Sequence, residues 1–272
     1  MHKRNKLWLS IGAATLAGST LTGCSPDDDP HHAANPTAVH ATSAAHSGEG
    51  EGEGEGEGEG SAKEVNLATD DRPYLAQLGL VRGHLYVGHQ LYMDGHLEHA
   101  KTHMKHPESE LYAAMIPAFE ARGTSGFADE LAGLANAVNQ DQGHEAVDHA
   151  YQHLISAIVL NEQAVSEQTQ AAAERLKLAA DLLRVAGEEY AIAVVDGKME
   201  NAHEYQDALG FTKTARVVIS QLDDSEIKSK ADALIENIMP LWPSLIPPAT
   251  LDTTADEIYG TAARVELLAL GM

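Results

Sequence analysis

Helical periodicity dominates the hydrophobic pattern from about residue 65 to the C-terminus. Apolar residues recur at intervals of three and four, aromatic residues are few and β-branched runs are short, which is typical of amphipathic α-helices. Glycines, prolines and acidic pairs interrupt the pattern and mark helix ends. We predict helices at about 73–105, 108–121, 126–139, 142–169, 171–195, 199–221, 225–238 and 253–270. The predicted fold class is therefore all-α, a helical bundle over residues 63–272.

The region before this bundle lacks the periodicity and divides into two segments. Residues 1–23 hold three basic residues, then an apolar stretch, then small residues before Cys24, which indicates a lipoprotein signal peptide. Cys24 is the single cysteine of the chain and the expected lipidation site. Residues 24–62 contain almost nothing to bury, and residues 48–60 alternate glycine with glutamate, so we expect a disordered acidic tether.

The signal-peptide segment and the net charge predict where the protein is located and which partners it binds. Lipid on Cys24 would anchor the chain to a membrane of the cell envelope. Ser25 after it favours the outer membrane of a two-membrane bacterium, facing the periplasm or the surface. The formal net charge of −23 argues against nucleic acid as a partner and favours cations.

Six of the 15 histidines fall in the first predicted helix or directly after it. With about 100° between successive residues, they span an arc of about 140°. Charged residues occupy the opposite side, so we expect the histidine face to point into the bundle or a cleft. Inward imidazoles at spacings of three and four can share one metal ion. The six are His84, His89, His96, His99, His103 and His106.

A second predicted helix carries ligands of the same kind. Glu145, His149 and His153 follow one another at intervals of four, on one helix face. Such triplets also occur on solvated faces. If this face meets the histidine face of the first helix across the bundle, the two faces together would complete a His/carboxylate metal site.

A third cluster combines a Tyr-x-x-Ala-Val-x-x-Gly turn with a following Glu-Tyr pair and a downstream Phe. Its residues are Glu189, Tyr190, Ala193, Val194, Asp196, Gly197, Glu204, Tyr205 and Phe211. Over residues 181–222 the chain resembles the exported, non-membrane region of bacterial high-affinity iron permeases of the Fe/Pb permease family. The permease's membrane helices and their Arg-Glu-Gly-Leu-Glu-type motif are absent. The resemblance therefore implies a role accessory to the uptake of iron or another divalent metal.

The residues of this cluster also predict geometry without the resemblance. Asp196-Gly197 would end one helix and begin an antiparallel helical hairpin. That turn would place Glu189 near Glu200, His203 and Glu204. Glu200 and His203 have the i,i+3 spacing of di-iron sites in helical bundles, but a ferritin-like centre needs a second copy of the motif.

We predict that this protein is a lipid-anchored, non-enzymatic protein that binds a transition-metal ion through inward-facing histidines and carboxylates. Imidazole and carboxylate ligands suit iron, zinc and copper, and the resemblance favours iron. The expected partners are the metal ion, the membrane and a metal transporter or receptor. Two alternatives remain open. One is a metal-dependent, di-iron-like oxidase, and the other is a metal-free, histidine-rich structural or pH-sensing envelope protein.

Overall fold

Nine α-helices build the part of the chain that the computed structural model describes, which is residues 65–272 without the side chains of 105, 106 and 108–110. The all-α prediction is confirmed, because β-structure in this range is limited to two short strands and one isolated bridge. The predicted signal peptide, Cys24 and the tether lie outside the described residues. Residues 65–272 form a single unit, and no described helix has the length and apolarity needed to cross a membrane.

The N-terminal half of this unit contains five α-helices and one π-helical turn. They are α1 (Asp71–Met93), α2 (Leu97–His106), the π-helical turn (Pro107–Tyr112), α3 (Ala113–Arg122), α4 (Ala128–Asn139) and α5 (His144–Glu162). Helix α1 is the centre of this half, because it packs against α2 and α5 as well as against the C-terminal half.

The prediction of one helix over 73–105 was wrong, since the chain breaks between α1 and α2. Gly95 adopts a left-handed conformation with φ of 81°. The Gly95 amide donates to the Tyr92 carbonyl and the His96 amide to the Leu91 carbonyl, which is the Schellman pattern that ends helices. Helix α2 then packs against α1. Five of the six histidines consequently lie on two helices, His96 lies in the break between them, and the six do not share one continuous face.

The C-terminal half begins with two long helices joined by a tight turn. Its elements are α6 (Ala172–Ala193), β1 (Val194–Val195), β2 (Lys198–Met199), α7 (Ala202–Ser220), α8 (Glu226–Ile238), a 3₁₀ turn (Met239–Leu241) and α9 (Asp256–Leu270). Asp196 and Gly197 both have positive φ, 50° and 73°, as a two-residue type I′ hairpin requires. The predicted stop at this dipeptide is confirmed.

A close approach of α1 to α7 joins the two halves. The backbones meet at Gly83 and Gly210, where a Cβ on Gly210 would collide with the Gly83 carbonyl oxygen and lie 2.7 Å from its carbon. Only glycine allows helix backbones to come this near. His84 follows Gly83 and Asp207 lies one turn before Gly210, so this contact sets the spacing of the candidate site.

Candidate metal centre

Asp207 is a fully buried carboxylate on α7. His84 from α1 and His103 from α2 reach it, and both of these side chains are also fully buried. His203, one turn earlier on α7, is the third imidazole and keeps 18% of its side chain exposed. Burying an isolated carboxylate is costly, so three imidazoles around one carboxylate form an electrostatic unit that the fold must keep together.

The two oxygens of Asp207 face different histidines. Oδ1 lies 2.6 Å from Nδ1 of His84 and 3.1 Å from Nδ1 of His103. Oδ2 lies 3.0 Å from Nδ1 of His203. The rings of His103 and His203 stack with centroids 4.0 Å apart and an angle of 8° between their planes. Asp207 is therefore the common element of two adjacent groups.

Gln206 fixes the orientation of His103. Its Nε2 donates to the carbonyl of Leu245 at 3.1 Å, so its Oε1 is the atom that lies 3.0 Å from Nε2 of His103. His103 then faces an acceptor at each ring nitrogen, Gln206 on one side and Asp207 on the other. A neutral imidazole carries only one N–H. With that proton directed at Gln206, the Nδ1 lone pair faces the Asp207 carboxylate, and both atoms are potential metal ligands.

The first turn of α7 supplies a second carboxylate. Glu204 is 1% exposed, and its Oε2 lies 4.0 Å from Nδ1 of His203. The side chain of Asn201 caps this helix by accepting a hydrogen bond from the His203 amide at 3.0 Å. The cap fixes where the helix begins, and the spacings of three and four then place His203 and Glu204 on the face of Asp207.

The proline-rich segment after α8 is attached to α7 beside this cluster. Trp242 donates from Nε1 to the Tyr205 carbonyl at 3.0 Å, and the Tyr205 hydroxyl donates to the Ser244 carbonyl at 2.9 Å. Together with the bond from Gln206 to Leu245, these contacts hold the segment against the helix that carries Asp207. Trp242 is 7% exposed and belongs to the core.

Burial and neighbouring groups shift three pKa values in this cluster. Burial raises the pKa of the Asp207 carboxyl, but the nearby His84, His103 and His203 outweigh it and hold that pKa well below its usual range. Burial lowers the pKa of His203, but the nearby carboxylates of Asp207 and Glu204 outweigh it and raise that pKa to about 9. Burial prevails at His103 and keeps its pKa below the usual value. At neutral pH, Asp207 is ionised, His203 carries a proton and His103 is neutral.

The donor set suits a transition-metal ion. Within the described part of the chain, two groups place three potential ligand atoms within 4.8 Å of one another. The first is His84, His103 and Asp207, and the second is His203, Glu204 and Asp207. Imidazole nitrogen combined with carboxylate oxygen is the ligand chemistry of iron, zinc and copper sites in proteins.

Three of the predicted ligands belong to this cluster and others lie elsewhere. His103, His203 and Glu204 are in it. Glu189 is buried near the end of α6, whereas Glu200 is exposed before α7. The His106 side chain lies outside what the structure describes.

His89 occupies a separate place between α1 and α5. It is 6% exposed, its ring stacks on Tyr151 with centroids 4.1 Å apart, and its Nε2 lies 3.1 Å from Oδ1 of Asp148. These contacts satisfy a buried imidazole without a metal.

The remaining predicted ligands are on the surface. His96 and His99 are exposed next to the break between α1 and α2. Glu145, His149 and His153 are exposed on α5 and line an open groove between α4 and α5. Among the described residues, neither set joins a group of three potential ligands within reach of one ion.

The sequence alone did not identify Asp207 and Gln206 as site residues. It placed His84 among the six histidines of the first helix but did not identify it as a metal ligand. A signal for Asp207 was present, since it stands four residues after His203 and three after Glu204 on one helix. Its meeting with His84, 123 positions earlier in the chain, is not encoded by any local spacing.

Residues 165–269 match the family model of the iron permease-associated 4-helix bundle domain. The matched span contains α6 to α9, and it includes the segment in which the sequence resembles iron permeases, so that resemblance is confirmed. His203, Glu204 and Asp207 lie inside the span, while α1 and α2, which carry His84 and His103, lie before it. Neither a curated protein nor a solved structure matches the chain.

Proposed function

We propose that this protein binds a transition-metal ion, with iron favoured, at Asp207 and its histidines, and that it captures or delivers the ion for a metal-uptake system. The observation that carries the proposal is the buried Asp207 carboxylate, enclosed by imidazoles of His84, His103 and His203. The matched domain is associated with iron permeases, which supports a link to iron uptake and a transporter as partner.

The metal is cargo in this proposal, and the protein is a binding protein with no catalytic step. Two features of the site suit reversible loading. His84, His103 and Asp207 are fully buried and supply a selective, water-poor environment, while His203 keeps one edge of the cluster in contact with solvent. An ion can therefore exchange on the His203 side.

Metal titration of paired variants tests this function. Untagged protein should bind Fe(II), Zn(II) or Cu(II) with a rise in melting temperature, because an ion that binds only the folded state stabilises it. His84→Ala/His103→Ala should bind less metal than the wild type, because it removes two of the buried ligands beside Asp207. The matched variant His96→Ala/His99→Ala removes two exposed imidazoles and should retain the binding of the wild type. If the exposed pair is the one whose loss abolishes binding, the site lies at the α1–α2 break and the proposal is wrong.

We further propose that Cys24 carries the lipid that holds the protein on a membrane of the cell envelope. The support is the signal-peptide pattern of residues 1–23 and its position directly before the single cysteine. A Cys24→Ala variant should move from the membrane fraction to the soluble fraction after cell disruption. A variant that stays in the membrane fraction would refute lipid anchoring at this residue.

A further inference from the structure

The shape of the cluster bears on how many ions it holds. His103 and His203 both present Nδ1 to Asp207, but their rings are nearly parallel and stacked 4.0 Å apart. The lone pair of an imidazole nitrogen lies in the plane of the ring. An ion in the plane of one ring is therefore displaced by about the stacking distance from the plane of the other. A single ion cannot bind both nitrogens in good geometry.

The two carboxylate oxygens of Asp207 also face different histidines. Its Oδ1 is beside His103 at 3.1 Å, and its Oδ2 is beside His203 at 3.0 Å. Two ligand atoms that each lie about 2.1 Å from one ion, at bond angles between tetrahedral and right-angled, are roughly 3.0–3.4 Å apart. Each of these nitrogen–oxygen pairs therefore already has the separation that a shared ion requires.

A third ligand is available on each side. His84 completes a group with His103 and Asp207, and Glu204 completes a group with His203 and Asp207. The nitrogen of His84 lies 2.6 Å from Oδ1, so this pair must open by a few tenths of an ångström to admit an ion. The two groups share only Asp207, whose carboxylate can bridge them.

We propose that this cluster holds two metal ions bridged by Asp207. This proposal rests on the metal-binding function proposed above. The inner position is formed by His84, His103 and Oδ1. The outer position is formed by His203, Glu204 and Oδ2. Carboxylate-bridged pairs of ions in proteins are about 3.5–4 Å apart.

The two positions differ in chemistry and in access. The inner position offers two imidazoles and one carboxylate oxygen, and all three of its side chains are fully buried. The outer position offers one imidazole and two carboxylate oxygens, and His203 reaches solvent. A nitrogen-rich set favours zinc or copper, whereas an oxygen-rich set suits harder ions such as manganese or ferrous iron. The outer ion should also exchange faster than the inner one.

Copper(II) is the probe for the test, because two nearby Cu(II) ions give a half-field transition in electron paramagnetic resonance and an isolated ion does not. The full-length, untagged protein is titrated with Cu(II), and the ions bound are counted by elemental analysis after desalting. Asp207→Ala serves as the reference, since it shares the histidine-rich N-terminal segment. We expect the wild type to bind two more ions than this reference and to show the half-field transition.

Single variants assign the positions. His103→Ala and His203→Ala should each bind one ion fewer than the wild type and lose the half-field transition. His144→Ala, which removes an exposed imidazole of α5 outside the cluster, should keep both ions. Circular dichroism checks that each variant is folded. The wild-type spectrum remains decisive even if a variant does not fold.

Two results would overturn the inference, and they are distinguishable. A wild type that binds one ion more than Asp207→Ala, without a half-field transition, refutes the two-ion site and leaves the proposed function in place. A wild type that binds no more ions than Asp207→Ala refutes both.

Discussion

Replacing Asp207 by alanine is expected to abolish tight metal binding and to destabilise the metal-free protein. Both groups of potential ligands contain Asp207. Loss of a residue that only orients a ligand already costs about 10–100-fold in metal affinity, so loss of this shared ligand should cost more. Removing one partner from a buried charged cluster costs about 3–5 kcal/mol. Calorimetric titration and urea unfolding measure the two effects.

Two further variants separate charge from shape at this position. Asp207→Asn keeps the size of the side chain and should lose metal binding with a smaller loss of stability. Asp224→Asn removes a surface carboxylate that is paired with Lys228, and it should change neither property. Tight binding that survives in Asp207→Ala would place the metal elsewhere in the chain.

Metal affinity is expected to rise steeply with pH up to about pH 9, while the stability of the metal-free protein falls over the same interval. The raised pKa of His203, about 9, means that a proton occupies this imidazole at neutral pH. A metal must displace that proton. Below pH 9 the apparent affinity should therefore rise about tenfold per pH unit for each proton released.

The stability of the metal-free protein has the opposite dependence. A histidine whose pKa is higher in the folded than in the unfolded state stabilises the fold fully below the unfolded value of about 6.5. This contribution is lost as the pH rises through about 9. Asp207, with its lowered pKa, stabilises the fold above the usual carboxyl range and loses its contribution only in acid.

Titrations at several pH values check this second prediction, with melting of the metal-free protein measured in parallel. His203→Gln removes the titrating group and should flatten both dependences between pH 6.5 and about 9. Metal affinity that is independent of pH in the wild type would mean that His203 releases no proton and is not a ligand.

The positions of most helices follow from the sequence because their ends carry strong local signals. Asp196-Gly197 needs two positive φ angles, which few other dipeptides tolerate, and the hairpin forms there. Gly95 also has a positive φ, but we predicted a continuous helix through it. A single glycine between polar residues costs little in an exposed helix, and the periodicity on either side resembled one helix. The Schellman hydrogen bonds that end the helix at this glycine depend on the three-dimensional path of the backbone, which the periodicity does not show.

The candidate site was less predictable than the fold, for a physical reason. Spacing along a helix identifies a shared face, as it does for His203 and Asp207, which stand four residues apart. It cannot say which face of another helix arrives there. His84 meets Asp207 because Gly83 and Gly210 let α1 approach α7, and His103 meets it because the chain turns at Gly95. Both contacts depend on long-range packing.

The cluster also draws on two parts of the chain that the family comparison separates. His203, Glu204 and Asp207 belong to the span matched by the iron permease-associated domain, and His84 and His103 come from helices before it. The inner metal position therefore depends on α1 and α2. A protein with only the matched domain would retain the outer position's three residues and lack the two buried histidines.

Anomalous X-ray diffraction from crystals grown with Co(II) or Fe(II), recorded at the absorption edge of the metal, tests the central claim most directly. Our account predicts anomalous density within about 2.0–2.2 Å of the Asp207 carboxylate oxygens, with His84, His103, His203 and Glu204 as the other ligands. Density confined to the exposed groove of Glu145, His149 and His153, with none at Asp207, would contradict it.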